Sequence, residues 1–156
     1  GSYSLKYALP ALQSLLPLTD VLIVNREEAE HILGSTYREE KGYEGLIQHL
    51  VALGPDEVVL TDGDRGSWVG TEHHGLWHLE AYPVNVTAKT GAGDAFSAAY
   101  MCARHHGHDP AIALEWGTAN STSVIQHHGP HRGLLDYQQL VGMIQTYSHI
   151  KPVKIL

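Results

Sequence analysis

Basic residues are scarce in this 156-residue sequence: 10 lysines and arginines stand against 17 aspartates and glutamates, for a formal net charge of -7. That balance leaves no basic stripe for a phosphate backbone and excludes nucleic acid as a partner, although a small anion can still bind locally. Cysteine is scarcer still. Cys102 is the single one, so no internal disulfide can form, and its place in an apolar helical pattern predicts a buried structural thiol in a reducing, cytoplasmic setting. Long hydrophobic runs are missing as well: Ala95 to Ala103 and Leu46 to Leu53 are interrupted by polar residues and too short to cross a bilayer. Neither a membrane anchor nor a signal peptide is visible, and Gly1-Ser2 reads as the remnant of a removed tag.

What is present describes a folding chain. Hydrophobic residues make up 43% and charged residues 17%, a balance unlike that of disordered sequences. The length suits one compact core rather than two ordinary domains.

The segment ALQSLLPL is apolar at helical spacing, and the β-branched run VLIV (Val21 to Val24) follows it as a buried strand. In NREEAEHIL, Asn25 occupies a cap position and acidic residues fill the first turn, which predicts a helix directly after that strand. Tyr43 to Leu53 repeats apolar residues at helical spacing, Gly54-Pro55 stops it, and EVVLT (Glu57 to Thr61) supplies a second buried strand. Strand, two helices, strand is the order of a parallel α/β sheet. Beyond DGDRG, the pieces SWVGT, LWHLE and PVNV are expected as short antiparallel edge strands. From Gly91 the chain turns helical in three segments, with Pro110 suited to a first turn and Gly107 and Gly129 to helix ends. The last residues, VKIL, read as one more short strand.

The chemistry concentrates in KTGAGDAFSAAY, Lys89 to Tyr100. Two glycines flanking an alanine, directly before a helix, expose successive backbone N–H groups at the positive end of the helix dipole and form an anion hole. Asp94 falls in the first turn of that helix. A carboxylate beside a bound phosphate is electrostatically awkward, and a role as base toward a substrate hydroxyl explains it. By itself the segment also reads as an ordinary helix start with an acidic residue placed for the dipole, since short glycine motifs recur by accident. A dinucleotide-binding oxidoreductase is a poorer reading: GAGD lacks the third glycine, and no acidic ribose-binding residue follows about 20 positions later on a second strand.

Taken together, TGAGDAF (Thr90 to Phe96), NREE, VVLTDGDRG (Val58 to Gly66) and ANSTSVIQHHG (Ala119 to Gly129) resemble, in order, the motifs of the ribokinase (PfkB) family of carbohydrate and nucleoside kinases. The resemblance runs from about Asp20 to Leu135 and corresponds to the C-terminal, nucleotide-binding part of a family member. It implies a ribokinase-like α/β fold, a mainly parallel sheet flanked by helices, over residues 1–156. It also implies transfer of the ATP γ-phosphoryl group to an alcohol of a sugar or nucleoside. Under it Asp94 is the catalytic base and Gly91, Ala92 and Gly93 hold the transferring phosphoryl group. Asn25, Thr61, Gly63, Gly66 and Asn120 are implied nucleotide contacts, Asn120 beside the adenine, and Glu28 helps to organise Mg²⁺ through water. Ala88 departs from the pattern: many members carry an aspartate there that helps to bind a monovalent cation, so potassium activation does not carry over. The N-terminal half of the family, which supplies most acceptor contacts and the strands of a homodimer, has no counterpart here. A nucleotide-binding or interaction module without kinase activity is therefore the alternative function.

Twelve histidines are present, grouped as His73-His74, His105-His106 with His108, and His127-His128 with His131. No segment has closed Cys/His ligand spacing, and each group falls at an expected turn or helix end, which predicts solvated surface histidines. Trp68, Trp77 and Trp116 are expected as core or interface aromatics.

Overall fold

The computed structural model describes residues 2–34, 42–72, 75–129 and 132–155. Gly1 of the suspected tag remnant, and His73, His74 and His131 of the histidine groups, lie outside them. The chain divides into two compact units, Gly1–Asp62 with Trp68–Trp77 and Lys154–Leu156, and Gly63–Ser67 with His78–Val153.

The first unit contains helix α1 (Ser2–Leu15), strand β1 (Val21–Asn25), helices α2 (Arg26–Leu33) and α3 (Gly42–Val51), and strand β2 (Glu57–Thr61). Strands β3 (Ser67–Thr71), β4 (Gly75–Leu79) and β5 (Val153–Lys154) complete a five-stranded mixed sheet in the order β1-β2-β3-β4-β5. The expected parallel pair is β1 with β2, in register from Val21 opposite Glu57 to Asn25 opposite Thr61. Four residues of β2 in succession are buried, whereas β1 alternates, which fits a strand with neighbours on both sides next to one at the sheet edge. Helix α2 buries Ala29, Ile32 and Leu33, and α3 buries Leu46, Ile47 and Leu50. This is the i, i+3, i+4 stripe of a helix lying on a core. Trp68 is buried in that core and stacks on Tyr43 with ring centroids 3.9 Å apart.

Three helices dominate the second unit: α4 (Ala92–His105), α5 (Pro110–Ile125) and α6 (Tyr137–Thr146). Pro110 does open α5, where its missing N–H costs nothing, and Asp109 caps it by accepting from the Ile112 amide at 2.9 Å. Tyr82, Ala99, Ala119 and Leu140 form a core that Trp116 and Tyr147 flank. Tyr82 stacks on Tyr147 at 4.4 Å. Burial pushes its phenol well above the ordinary tyrosine range, with the Glu115 charge adding to the shift.

Three expectations need correction. SWVGT and LWHLE supply β3 and β4, but each of these strands has a neighbour on either side instead of lying at a sheet edge. PVNV (residues 83–86) forms no strand and belongs to an irregular segment. The amides of Thr87 and Ala88 instead both donate to the Ile125 carbonyl at the end of α5, at 2.7 and 3.2 Å, a long-range anchor that takes the place of ladder bonds. Cys102 is exposed rather than buried. Helix α4 buries Ala95, Phe96, Ala99, Tyr100 and Ala103, and position 102 falls on the solvent side of that stripe.

Candidate active site

Strand register in the first unit brings three of the expected residues to one place. Asn25 and Thr61 are partners across the C-terminal ends of β1 and β2, the end of a parallel pair where α/β proteins bind ligands. Asn25 is also the N-cap of α2: its Oδ1 accepts from the Glu28 amide at 2.8 Å, while Glu28 Oε2 accepts from the Asn25 amide at 3.1 Å. This reciprocal capping box satisfies two helix-start donors and leaves the second carboxylate oxygen of Glu28 outside it.

Sequence reasoning missed the group beside them. The Tyr43 hydroxyl donates to Asp62 Oδ2 at 2.6 Å, and Arg26 Nη1 lies 3.8 Å from the same oxygen. Arg26 also bonds Glu30 at 2.8 Å and sits 5.4 Å over the Tyr43 ring. The Glu30 hydrogen bond is the main cause that holds the guanidinium above its ordinary value. These contacts fix the residue that follows Thr61. The signal was available in part, because Arg26 and Asp62 are neighbours in sequence of Asn25 and Thr61, but nothing local announced Tyr43.

The remaining expected residues lie in the second unit. Gly91 is the N-cap of α4, with φ 86 and no side chain to accept the first-turn amides. The Ala92 amide turns back to the Lys89 carbonyl at 3.3 Å, and the first regular helical bond runs from the Ala95 amide to the Gly91 carbonyl at 2.9 Å. The amides of Gly93 and Asp94 are thus the open donors of the helix start. Gly93 is exposed with no atom near where a Cβ would stand, and Asp94 is exposed in the same turn. Among the described residues its carboxylate has no hydrogen-bond or ion-pair partner. Lys89 is exposed too.

Gly63 opens a 3-10 turn to Arg65, and Gly66 follows with φ 99. A Cβ on Gly66 would overlap the Leu79 carbonyl oxygen, so this position demands glycine on steric and conformational grounds alike. Asn120 has structural partners that the sequence did not announce. It is buried inside α5, and both ends of its amide are engaged: Nδ2 donates to the Ala95 carbonyl at 2.8 Å, and Oδ1 accepts from the Leu135 amide at 3.0 Å. One N–H and one lone pair of that amide remain beyond these two bonds.

A cavity of about 690 Å³ in this unit is lined by Cys102, His106, His108, Trp116, Asn120 and Tyr137 among others, and by none of Gly91 to Asp94. His105, His106, His127 and His128 are exposed. Among the described residues no group of three or more His, Cys, Asp or Glu is arranged to hold a metal ion, and no helix is long and apolar enough to cross a membrane. The Glu28 oxygen outside the capping box suits only indirect support of an ion of the Mg²⁺ type, which keeps several waters and takes other ligands from substrate phosphates.

Comparison with known proteins gives the family of the chain. The family model described as pfkB family carbohydrate kinase matches residues 2–136. The chain is 32% identical over 123 residues to a ribokinase of Staphylococcus aureus, covering 78% of this chain and 40% of that protein. It is 28% identical over 145 residues to a 5-dehydro-2-deoxygluconokinase of Bacillus licheniformis, covering 91% of this chain and 41% of that protein. A solved structure described as a ribokinase II from E. coli, in complex with ATP and Mg²⁺, matches with a TM-score of 0.77 and 28% identity over 88% of this chain and 42% of that one. The chain therefore spans roughly two fifths of the length of these curated relatives.

Proposed function

Because the chain belongs to the pfkB family of carbohydrate kinases, we propose that it carries the ATP site and the catalytic base of a phosphotransferase that acts on an alcohol of a sugar or nucleoside. One observation carries the reading: a helix start with no side-chain cap has in its first turn a carboxylate without a partner among the described residues, within the matched residues. Asp94 takes the proton from the acceptor hydroxyl as its oxygen attacks phosphorus. The amides of Gly93 and Asp94 face the charge that develops on the phosphoryl oxygens, and they need no reorganisation because the helix holds them in place. Gly91 keeps the helix start clear, Ala92 shapes the turn, and Thr61, Gly63 and Gly66 border the nucleotide. When bound, Mg²⁺ neutralises phosphate charge. Asn25 and Glu28 would support it, Glu28 through water.

Asp94→Asn tests this in the complete kinase polypeptide. The substitution preserves size and helix start but removes the proton acceptor, so kcat should fall on the order of 10²- to 10⁴-fold while nucleotide Kd changes little. Wild-type kcat in the variant removes Asp94 from the mechanism.

Coverage of only two fifths of the relatives favours a second reading for the isolated polypeptide: a nucleotide-binding module that cannot phosphorylate by itself. In a coupled ADP-release assay across sugars and nucleosides, the 156 residues alone should show little or no turnover. Robust turnover would rule that reading out.

A further inference from the structure

We propose that Asn120 is a positioning residue for the base: it fixes the turn of α4 that carries Asp94. The inference rests on the reading of Asp94 given above. Asparagine is a poor residue for a helix interior, and this one is buried at 6% exposure within α5, where each polar end must find a partner. It finds two that are far apart in sequence. Nδ2 donates to the carbonyl of Ala95, the residue after Asp94, and Oδ1 accepts from the amide of Leu135, which precedes Asp136, the N-cap of α6. One side chain therefore ties the catalytic turn, the middle of α5 and the entry to α6 together.

The demand is for a donor and an acceptor at once. Aspartate lacks the donor, and leucine or alanine lacks both. One turn earlier in α5, Gly117 lets the backbone approach Phe96 so closely that a Cβ there would lie 2.8 Å from the ring. The start of α4 is located from α5 by this steric contact and by the Asn120 hydrogen bond. Because the Asp94 carboxylate has no partner of its own among the described residues, its placement is inherited from the backbone, and Asn120 holds that backbone.

The test is a double-mutant cycle in the complete kinase. Asn120→Ala removes both bonds, and Asn120→Leu removes them while filling the volume, so that a folded variant is available if alanine leaves too large a cavity. Either should lower kcat on the order of 10- to 100-fold, as misplacement of a reacting group does, with nucleotide Kd within about twofold. In the Asp94→Asn background, the same substitution should lower the residual rate by a distinctly smaller factor, because the phosphate-facing amides of the turn can still be misplaced but the base cannot. A merely structural residue would instead lower the rate by one factor in both backgrounds through loss of folded protein. Equal factors, or wild-type kcat in the folded leucine variant, would overturn the inference while leaving an impaired Asp94→Asn, and so the proposed function, standing. If Asp94→Asn keeps wild-type kcat, the functional reading fails first and takes this inference with it. Adenine contact by Asn120, the rival role, would appear as a large rise in nucleotide Kd.

Discussion

Helices α2 and α4 both begin at residues expected to serve a nucleotide, yet their first turns are finished in opposite ways. Asn25 and Glu28 close the start of α2 reciprocally, and α5 and α6 are likewise capped by Asp109 and Asp136. Gly91 leaves the start of α4 without a side-chain cap. Substituting a good cap residue by glycine costs only a few tenths of a kcal/mol, so an open helix start is cheap, and its amides stay available to an anion from outside the chain. A closed start contributes stability, and an open one keeps its donors for a ligand. The difference teaches where phosphate is expected and where only support for it is.

Closing the open start should give the largest effect. Gly91→Asp installs a carboxylate at the N-cap of α4, where it would take the Gly93 and Asp94 amides and repel phosphate. Affinity for Mg-ADP, followed by calorimetric titration, should drop by roughly tenfold or more, equivalent to about 1.4 kcal/mol. Gly91→Ala is the control: it suffers the same left-handed backbone, worth roughly 1–2 kcal/mol of stability, without the charge. Equal nucleotide affinity in the aspartate and alanine variants would mean that the α4 start does not receive phosphate.

Opening the closed start should have a smaller effect of a different kind. Asn25→Ala deprives the Glu28 amide of its acceptor and should cost about 1 kcal/mol. For a chain of this size that lowers Tm by about 2–4 °C. An unchanged Tm would mean that the capping box adds nothing to the fold and that the contrast between the two helices is one of geometry alone.

Much of this was legible before any coordinates. The strands VLIV and EVVLT and the helices after Asn25 and Gly91 follow from local periodicity and cap chemistry, which act within a few residues. What escaped depends on distant partners. Nothing in PVNV reveals that Thr87 and Ala88 hang on Ile125 instead of pairing in a sheet. The apolar spacing around Cys102 signals a helix but not which edge of its stripe faces solvent. Asn120 was recognisable as a residue of interest, whereas its partners lie 25 and 15 positions away and only the packing of α4, α5 and the run into α6 makes them neighbours. The family motifs give the order of the site residues. They do not tell a ligand contact from a side chain that holds one.

That distinction is sharpest at Glu28, where the smallest change should separate two roles of one carboxylate. Glutamine serves in a capping box as well as glutamate does, so Glu28→Gln keeps the bond from the Asn25 amide and costs only the interaction of a charge with the helix dipole. That interaction is worth about 0.3–1 kcal/mol, and the loss of Tm should be smaller than for Asn25→Ala. If Glu28 also supports Mg²⁺ through water, removing its charge weakens the metal without touching the cap. The Mg²⁺ concentration needed for half-maximal ADP binding should then rise several-fold, while ADP affinity at saturating Mg²⁺ stays near wild type. A residue that only caps α2 predicts no change in the Mg²⁺ titration in either variant. Should Asn25→Ala and Glu28→Gln shift Tm in the expected order yet leave the Mg²⁺ dependence untouched, the start of α2 is a structural cap alone, and the support for Mg²⁺ must come from elsewhere.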